Sequence, residues 1–178
     1  WLMIPTLLAA QSRKPATVAE IAAYMGADRE QLLHAGAKTE GVATWYTSLA
    51  GDSYKALARA FETKYPGVRV EVFRGGGSEL MPRMSEEAKA RRPTFDVLET
   101  TYDFMMVART NALTRPYDSP ALVNYPSEAK EKTDKGLTFW TIFRESCMGF
   151  GYNKEQVQAS AVPKGFDGLL HPQLKGKM

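Results

Sequence analysis

Strand-like and helix-like segments alternate through the middle of this chain, and this alternation restricts the possible folds more than any other feature. VATWYTSL, VRVEVF and FDVLET are rich in the β-branched and aromatic residues that favour strands. The segment after the first of them, residues 53–65, carries apolar residues at the 3.6-residue helical period. Helices are also predicted at 78–91 and 102–111, after the second and third strands. The order β-α-β-α-β-α predicts an α/β fold with a mixed, mostly parallel sheet and helices on both faces.

Further elements are predicted on either side of this alternating region. Two short helices fit residues 17–39, where Thr17 and Glu20 have the spacing of a capping box at the start of the first helix. Two more strands, LTFWTIFRE and CMGFGYN, are predicted in the last third of the chain. The single cysteine, Cys147, lies in the second of these strands and is predicted to be buried and inert.

The composition argues against several classes of function. The chain has 178 residues, 44% of them hydrophobic and 24% charged, which is typical of a soluble domain with a core. Its net charge of +3 comes from interspersed acidic and basic residues rather than from a basic block, so no nucleic-acid partner is expected. One cysteine excludes an internal disulfide, and only two histidines argue against a zinc site of the usual His/Cys type.

The first ten residues, WLMIPTLLAA, form an apolar run that is too short to span a bilayer as a helix. The run ends in small residues and the chain turns polar at Gln11, which resembles the hydrophobic core and cleavage site of a secretory signal peptide. Residues 1–12 are therefore interpreted as a signal-peptide remnant. The alternatives are a disordered or locally packed N-terminus and a fragment of a membrane anchor.

Three strand-to-helix junctions carry hydroxyls or glycines, and ligands bind beyond the carboxyl ends of the strands in open α/β sheets. Hydroxyls and free N–H groups at a helix start bind anions, and glycine lets the backbone approach a ligand. The junctions together predict an anion or carboxylate pocket, with a tight turn as the alternative explanation of the glycines. The run GGGSEL matches neither of the two common nucleotide-binding glycine motifs. The junction residues are Thr47 and Ser48, then Gly75, Gly76, Gly77 and Ser78, then Thr100, Thr101 and Tyr102.

The segment EGVATWYTSLAGDSYKALARAFETKYPGVRVEVFRGGGSEL resembles the first lobe of the extracellular solute-binding proteins of bacterial ABC importers. Within that superfamily it is most similar to the branch that includes the ferric-iron-binding proteins. Two later segments, MGFGYNKEQV and GFDGLLHPQLKGKM, resemble the crossing strand of the family and a segment beyond it. The resemblance covers roughly residues 40–178 and depends on the order of the motifs rather than on any single one.

The resemblance implies the type II periplasmic-binding fold, in which two α/β lobes close over a ligand. It implies a first lobe at 41–144 and a hinge strand with the start of a truncated second lobe at 145–178. The N-terminal helical segment at 13–40 is predicted from its own helix signals and lies outside the resemblance. In the ferric branch the second lobe supplies most of the metal ligands, so no metal ligand is assigned in this chain. No catalytic residue is implied. The ligand-binding residues carried over by position are Thr47, Ser48, Gly76, Gly77, Ser78, Thr100, Thr101 and Tyr102.

The function implied by the resemblance is capture of a small solute outside the cytoplasm, without catalysis and without a cofactor. The expected solute is anionic or contains a metal: ferric iron, an oxyanion or an organic acid. The expected partner is an ABC permease in the inner membrane, and the protein is expected in the periplasm as a monomer. Two alternatives stay open. One is a transferase-like α/β enzyme that uses the same glycine-rich loop, and the other is the ligand-sensing domain of a receptor or regulator.

Overall fold

The computed structural model describes residues 15–145, 147 and 149–176. The chain divides into two compact units, Trp1–Phe143 and Arg144–Met178. The predicted signal-peptide remnant at 1–12 lies outside the described residues. All helices and strands named below belong to the first unit, which also holds all of the predicted ligand-binding residues.

The alternation of strands and helices predicted from the sequence is confirmed. Each predicted helix between 17 and 111 forms within two residues of its expected start, and the three predicted strands of the alternating region form between them. The elements are α1 Val18–Ala23, α2 Arg29–Glu40, β1 Val42–Thr47, α3 Ser53–Lys64, β2 Arg69–Arg74, α4 Gly77–Lys89, β3 Val97–Glu99, α5 Tyr102–Thr110, β4 Lys130–Lys132 and β5 Thr138–Thr141.

Two helix ends show why these local sequences fold as they do. The Thr17 hydroxyl accepts a hydrogen bond from the Glu20 N–H, and the Glu20 carboxylate accepts one from the Thr17 N–H, which completes the predicted capping box of α1. Helix α2 ends at Gly41, whose φ of 78° lies in the left-handed region that favours glycine. The Gly41 N–H donates to the Ala37 carbonyl, and the chain then enters β1 directly.

The three strands β1, β2 and β3 form one parallel sheet in the order β2-β1-β3. Because β1 is central and all three strands run the same way, their carboxyl ends meet at one edge of the sheet. Helix α2 packs against β1, and helix α3 packs against β2. The α/β architecture with a parallel sheet is therefore as expected from the sequence.

The two late strands differ from the prediction. LTFWTIFRE forms only the four residues of β5, and β5 pairs antiparallel with β4, which was not predicted, in a separate two-stranded sheet. CMGFGYN contributes no strand among its described residues, so that prediction is wrong there. Cys147 is exposed rather than buried. The physical reason is that a strand forms only where a neighbouring strand accepts its backbone hydrogen bonds, and the described residues of CMGFGYN have no such neighbour.

The hydrophobic core lies between the sheet and helices α4 and α5. Tyr46 of β1 is buried in it. Its ring lies 5.1 Å from that of Phe95 and 5.3 Å from that of Phe73, measured between centroids. The other buried members of this cluster are Leu80, Met81, Met84 and Ala108.

The second unit consists of short 3₁₀ turns in its described part, at Ala159–Ala161, Phe166–Leu170 and Pro172–Leu174. Phe150 and Phe166 meet edge to face, with ring centroids 5.0 Å apart. Within the described ranges of both units, no helix combines the length and the apolar character that a membrane span requires.

A buried hydroxyl in β5 gives a stability prediction. Thr138 is 1% exposed, and its Oγ1 has no hydrogen-bond partner among the described residues. We expect Thr138→Val to raise the free energy of unfolding by about 1 kcal/mol, because an unsatisfied buried hydroxyl is replaced by a methyl group of similar size. Urea denaturation measures the change.

The matched control for this prediction is Thr141→Val in the same strand. The Thr141 hydroxyl donates to the Ala129 carbonyl at 3.2 Å, so its removal should lower the free energy of unfolding by about 1 kcal/mol. A loss of stability in Thr138→Val equal to that in Thr141→Val would show that the Thr138 hydroxyl is also paired, and would contradict the prediction.

Candidate functional site

The three predicted junctions meet at the carboxyl edge of the parallel sheet. Thr47, the last residue of β1, is level with Arg74 at the end of β2 and with Glu99 at the end of β3. The Gly75 N–H donates to the Thr47 carbonyl at 3.0 Å, and the Ser48 N–H donates to the Glu99 carbonyl at 3.0 Å. The chain segments after all three strands therefore begin side by side, as the rule for ligand sites in open α/β sheets requires.

Glu99 is the residue at this edge that the sequence analysis missed. Its side chain is 8% exposed and accepts hydrogen bonds from the Thr47 hydroxyl at 2.6 Å and from the Ser48 N–H at 2.9 Å. The Ser48 hydroxyl lies 3.3 Å from the same carboxylate oxygen. The sequence signal was an acid at the end of the predicted strand FDVLE, where that strand reaches the sheet edge. Thr47 and Ser48, which were expected to donate hydrogen bonds to a ligand, therefore donate to the Glu99 carboxylate in this structure.

The glycines at 75–77 connect β2 to α4 directly, since β2 ends at Arg74 and α4 begins at Gly77. None of the three has a positive φ, so no left-handed backbone requires glycine there. A Cβ atom on Gly77 would overlap the ring of Phe104 in α5, and a Cβ on Gly75 would lie 2.6 Å from a carboxylate oxygen of Glu79. On Gly76 a Cβ would meet only the Ser78 hydroxyl, at 3.7 Å. Gly77 is thus needed for helix packing, whereas Gly76 leaves backbone accessible at the edge.

The N-termini of α4 and α5 differ in their side-chain hydrogen bonds. The carbonyl of Gly76, the N-cap of α4, accepts from the N–H groups of Glu79 and Leu80, and no side chain caps this end. The first N–H groups of a helix have no acceptor within the helix, so α4 offers donors to a ligand. At α5 the Thr101 hydroxyl donates to the Asp103 carboxylate. This bond, with further donation from the Phe104 N–H, holds the pKa of Asp103 below its usual value.

The predicted ligand-binding residues have different surroundings at this edge. Thr47 is fully buried and engaged with Glu99, and Gly77 is covered by Phe104. The hydroxyl oxygen of Thr100 is buried and has no hydrogen-bond partner among the described residues. The predicted residues that are exposed or partly exposed are Ser48, Gly76, Ser78, Thr100, Thr101 and Tyr102.

The charges around the edge are mixed and mainly acidic. Glu99 ends β3 beside Thr47, Glu79 lies against Gly75, and Asp103 lies in the first turn of α5. Arg74 is the basic residue at the strand ends, and its Nε donates to the Leu49 carbonyl at 3.2 Å in the loop after β1. Within the described part of the chain, no group of three or more His, Cys, Asp or Glu side chains is arranged to hold a metal ion.

A second polar cluster supports β1 from the core side. The Tyr46 hydroxyl donates to Glu87 at 2.6 Å, accepts from Arg83 Nε at 2.6 Å, and lies 2.8 Å from the Thr94 hydroxyl. Burial raises the pKa of Glu87, but the hydrogen bonds from Tyr46, Thr94 and Arg83 outweigh it and hold the pKa below its usual value. This cluster fixes Tyr46, which directly precedes the edge residue Thr47.

Comparison with known proteins gives one family and several similar structures. The family of bacterial extracellular solute-binding proteins matches residues 56–178, which include β2, α4, β3 and α5. A Trichodesmium protein (IdiA, FutA), solved in complex with iron and citrate, is 27% identical with a TM-score of 0.46. Iron-bound HitA from Pseudomonas aeruginosa is 26% identical with a TM-score of 0.45. No curated protein matches the chain.

The similarity to these structures covers part of each molecule. It spans 55% of this chain against the Trichodesmium protein and 53% against HitA. In both cases it spans 30% of the length of the other chain.

Proposed function

This chain belongs to the family of bacterial extracellular solute-binding proteins, and from that premise we propose that it is the solute-binding subunit of an ABC importer. It captures a small solute outside the cytoplasm, in the periplasm, and delivers it to a permease in the inner membrane. Its role is binding, with no chemical step. The solute contacts the carboxyl edge of the parallel sheet in the first unit.

The observation that supports this location is the meeting of three strand-to-helix junctions at one edge. The backbone bonds from Gly75 to Thr47 and from Ser48 to Glu99 hold the three junctions together. The exposed start of α4 at Gly76 and Ser78 adds backbone donors beside them. A solute at this edge therefore meets residues from β1, β2 and β3 at once.

The charges at the edge favour a metal-containing solute over a free anion. Carboxylates of Glu79, Glu99 and Asp103 surround the junctions and would repel a bare anion at close range. Arg74 and the start of α4 can still bind an anionic chelator. A metal ion bound by a small carboxylate chelator suits both the acidic side chains and the anion-binding groups. Such a complex needs few metal ligands from the protein.

The test is calorimetric titration of the full-length protein with ferric citrate, citrate alone and inorganic phosphate. Ferric citrate should bind more tightly than either anion alone. Bound solute should also stabilise the folded protein by mass action, by about 2.7 kcal/mol when the free solute is at one hundred times Kd. The melting temperature should rise accordingly. If none of the three probes binds or raises the melting temperature, the proposal that this protein captures such a solute fails. Tighter binding of citrate or phosphate alone would contradict the metal-containing class.

Two variants test the edge, and a third serves as control. Gly76→Val adds bulk at the edge where the backbone is already in an ordinary extended conformation, and Ser78→Ala removes an exposed hydroxyl at the start of α4. Gly76→Val should weaken binding at least about tenfold while the melting temperature of the unliganded protein changes little. Thr63→Ala removes a hydroxyl at the far end of α3 and should leave binding unchanged. Ser78→Ala should also bind more weakly than Thr63→Ala. If Gly76→Val and Ser78→Ala bind as tightly as Thr63→Ala, the solute lies elsewhere.

A further inference from the structure

The ring of Tyr102 is exposed at the carboxyl edge of the sheet, and it packs against the ring of Trp140. Tyr102 is the first residue of α5 and follows Glu99 by three positions, so their Cα atoms are at most about 11 Å apart. The side chain is 65% exposed. It meets the indole of Trp140 edge to face, with ring centroids 6.1 Å apart and an interplanar angle of 79°.

Trp140 is itself held firmly within the hairpin of β4 and β5. It is 8% exposed and pairs in register with Glu131 on β4. Arg109 of α5 forms an ion pair with Glu131, and its guanidinium lies 5.8 Å from the Trp140 ring and 4.4 Å from the ring of Phe139. The indole is thus fixed from α5 and from its own hairpin, on the side where it meets Tyr102 edge to face.

We propose that Trp140 is a positioning residue of the solute site: it holds the Tyr102 ring at the carboxyl edge, where the ring contacts the bound solute. This rests on the solute-binding function proposed above. An exposed tyrosine that is free to rotate loses side-chain freedom when it orders against a ligand. The contact with Trp140 restricts the ring before binding, so that part of this loss has already occurred in the unliganded protein. Trp140 then contributes to affinity without touching the solute.

The test compares four variants of the full-length protein with the wild type, by calorimetric titration with ferric citrate and by thermal melting. Tyr102→Leu removes the solute contact and should weaken binding about tenfold. Trp140→Leu keeps apolar bulk but removes the aromatic support, and should weaken binding about fivefold. The double variant should bind no more weakly than Tyr102→Leu, because Trp140 acts only through Tyr102. Trp140→Phe keeps an aromatic edge and should bind within about twofold of the wild type.

A loss of stability alone is separated from a loss of positioning by a destabilising control. Leu122→Ala removes a buried side chain elsewhere in the same unit, and should lower the melting temperature with no change in affinity. If Trp140→Leu behaves like Leu122→Ala, or if the two single losses add in the double variant, Trp140 has no positioning role. If the wild type binds ferric citrate and Tyr102→Leu binds it equally well, the role of Tyr102 is refuted while solute binding stands. A wild-type protein that binds no probe overturns both proposals.

Discussion

Gly77→Ala should destabilise the protein by about 2–3 kcal/mol, although alanine is the better helix former. The added methyl group would occupy space that the Phe104 ring fills, so α4 and α5 would have to move apart. The gain in helix propensity from replacing glycine is about 1 kcal/mol at most, and overpacking outweighs it. Urea denaturation with circular dichroism measures the free energy of unfolding.

The neighbouring glycine provides the control for this effect. In Gly76→Ala the new Cβ meets only the Ser78 hydroxyl at 3.7 Å, and the backbone is already extended. Its stability should stay within about 0.5 kcal/mol of the wild type.

A double-mutant cycle identifies the cause of the Gly77 effect. Phe104→Ala removes the ring and leaves room for the methyl group, so Gly77→Ala should cost almost nothing in that background. If Gly77→Ala is equally destabilising with and without the Phe104 ring, contact with this ring is not the reason for the glycine. If Gly76→Ala costs as much as Gly77→Ala in the wild-type background, the run requires glycine for its backbone conformation instead.

Tyr46→Phe should cost about 2–3 kcal/mol of stability at neutral pH while the ring stays in place. The hydroxyl donates to the Glu87 carboxylate and accepts from the Arg83 guanidinium, and hydrogen bonds to charged groups are worth more than neutral ones. The variant also leaves the partly buried Glu87 with one donor fewer. Guanidinium chloride denaturation of both proteins at pH 7 gives the difference.

The same substitution should change how stability depends on pH. The pKa of Glu87 is lower in the folded protein than its ordinary value of 4.5, so its contribution to stability is fully present above that value. This contribution is lost as the pH falls through the folded-state pKa. Tyr46→Phe removes one cause of the low pKa, so the variant has less to lose, and the gap between the two proteins should narrow in acid.

Tyr54→Phe is the matched control for this pair of effects. Tyr54 lies on α3, and its hydroxyl has no hydrogen-bond partner among the described residues. Its removal should change stability by less than about 0.5 kcal/mol at any pH. A gap between Tyr46→Phe and wild type that stays constant from pH 7 down to acid would show that Tyr46 does not influence the ionisation of Glu87.

The elements that were predicted correctly carry their signals in short stretches of sequence. Helix α3 follows from the spacing of its apolar residues, and the start of α1 follows from the pair Thr17 and Glu20. Strands β1 and β2 follow from their β-branched and aromatic residues. The place where the three junctions meet also followed from the sequence, because alternating strands and helices imply parallel strands that end at one edge.

The features that were missed or wrong depend on residues far apart in the chain. Strand β4 exists because its backbone pairs with β5, and nothing in the letters KEK indicates a strand. Cys147 is exposed, and the described residues of CMGFGYN form no strand, whereas the local pattern indicated a buried strand. Local propensity cannot report such pairings, since they are fixed only when the chain has folded.

The sequence by itself determined the alternation of strands and helices, their parallel arrangement and the edge at which the candidate site lies. Only the tertiary structure decided what each residue does there. It turned Thr47 and Ser48 toward Glu99, placed Phe104 over Gly77, and set Trp140 against Tyr102. The physical reason is that periodicity and capping act over a few neighbouring residues, whereas hydrogen-bond partners and close packing are chosen among side chains that only the complete fold brings together.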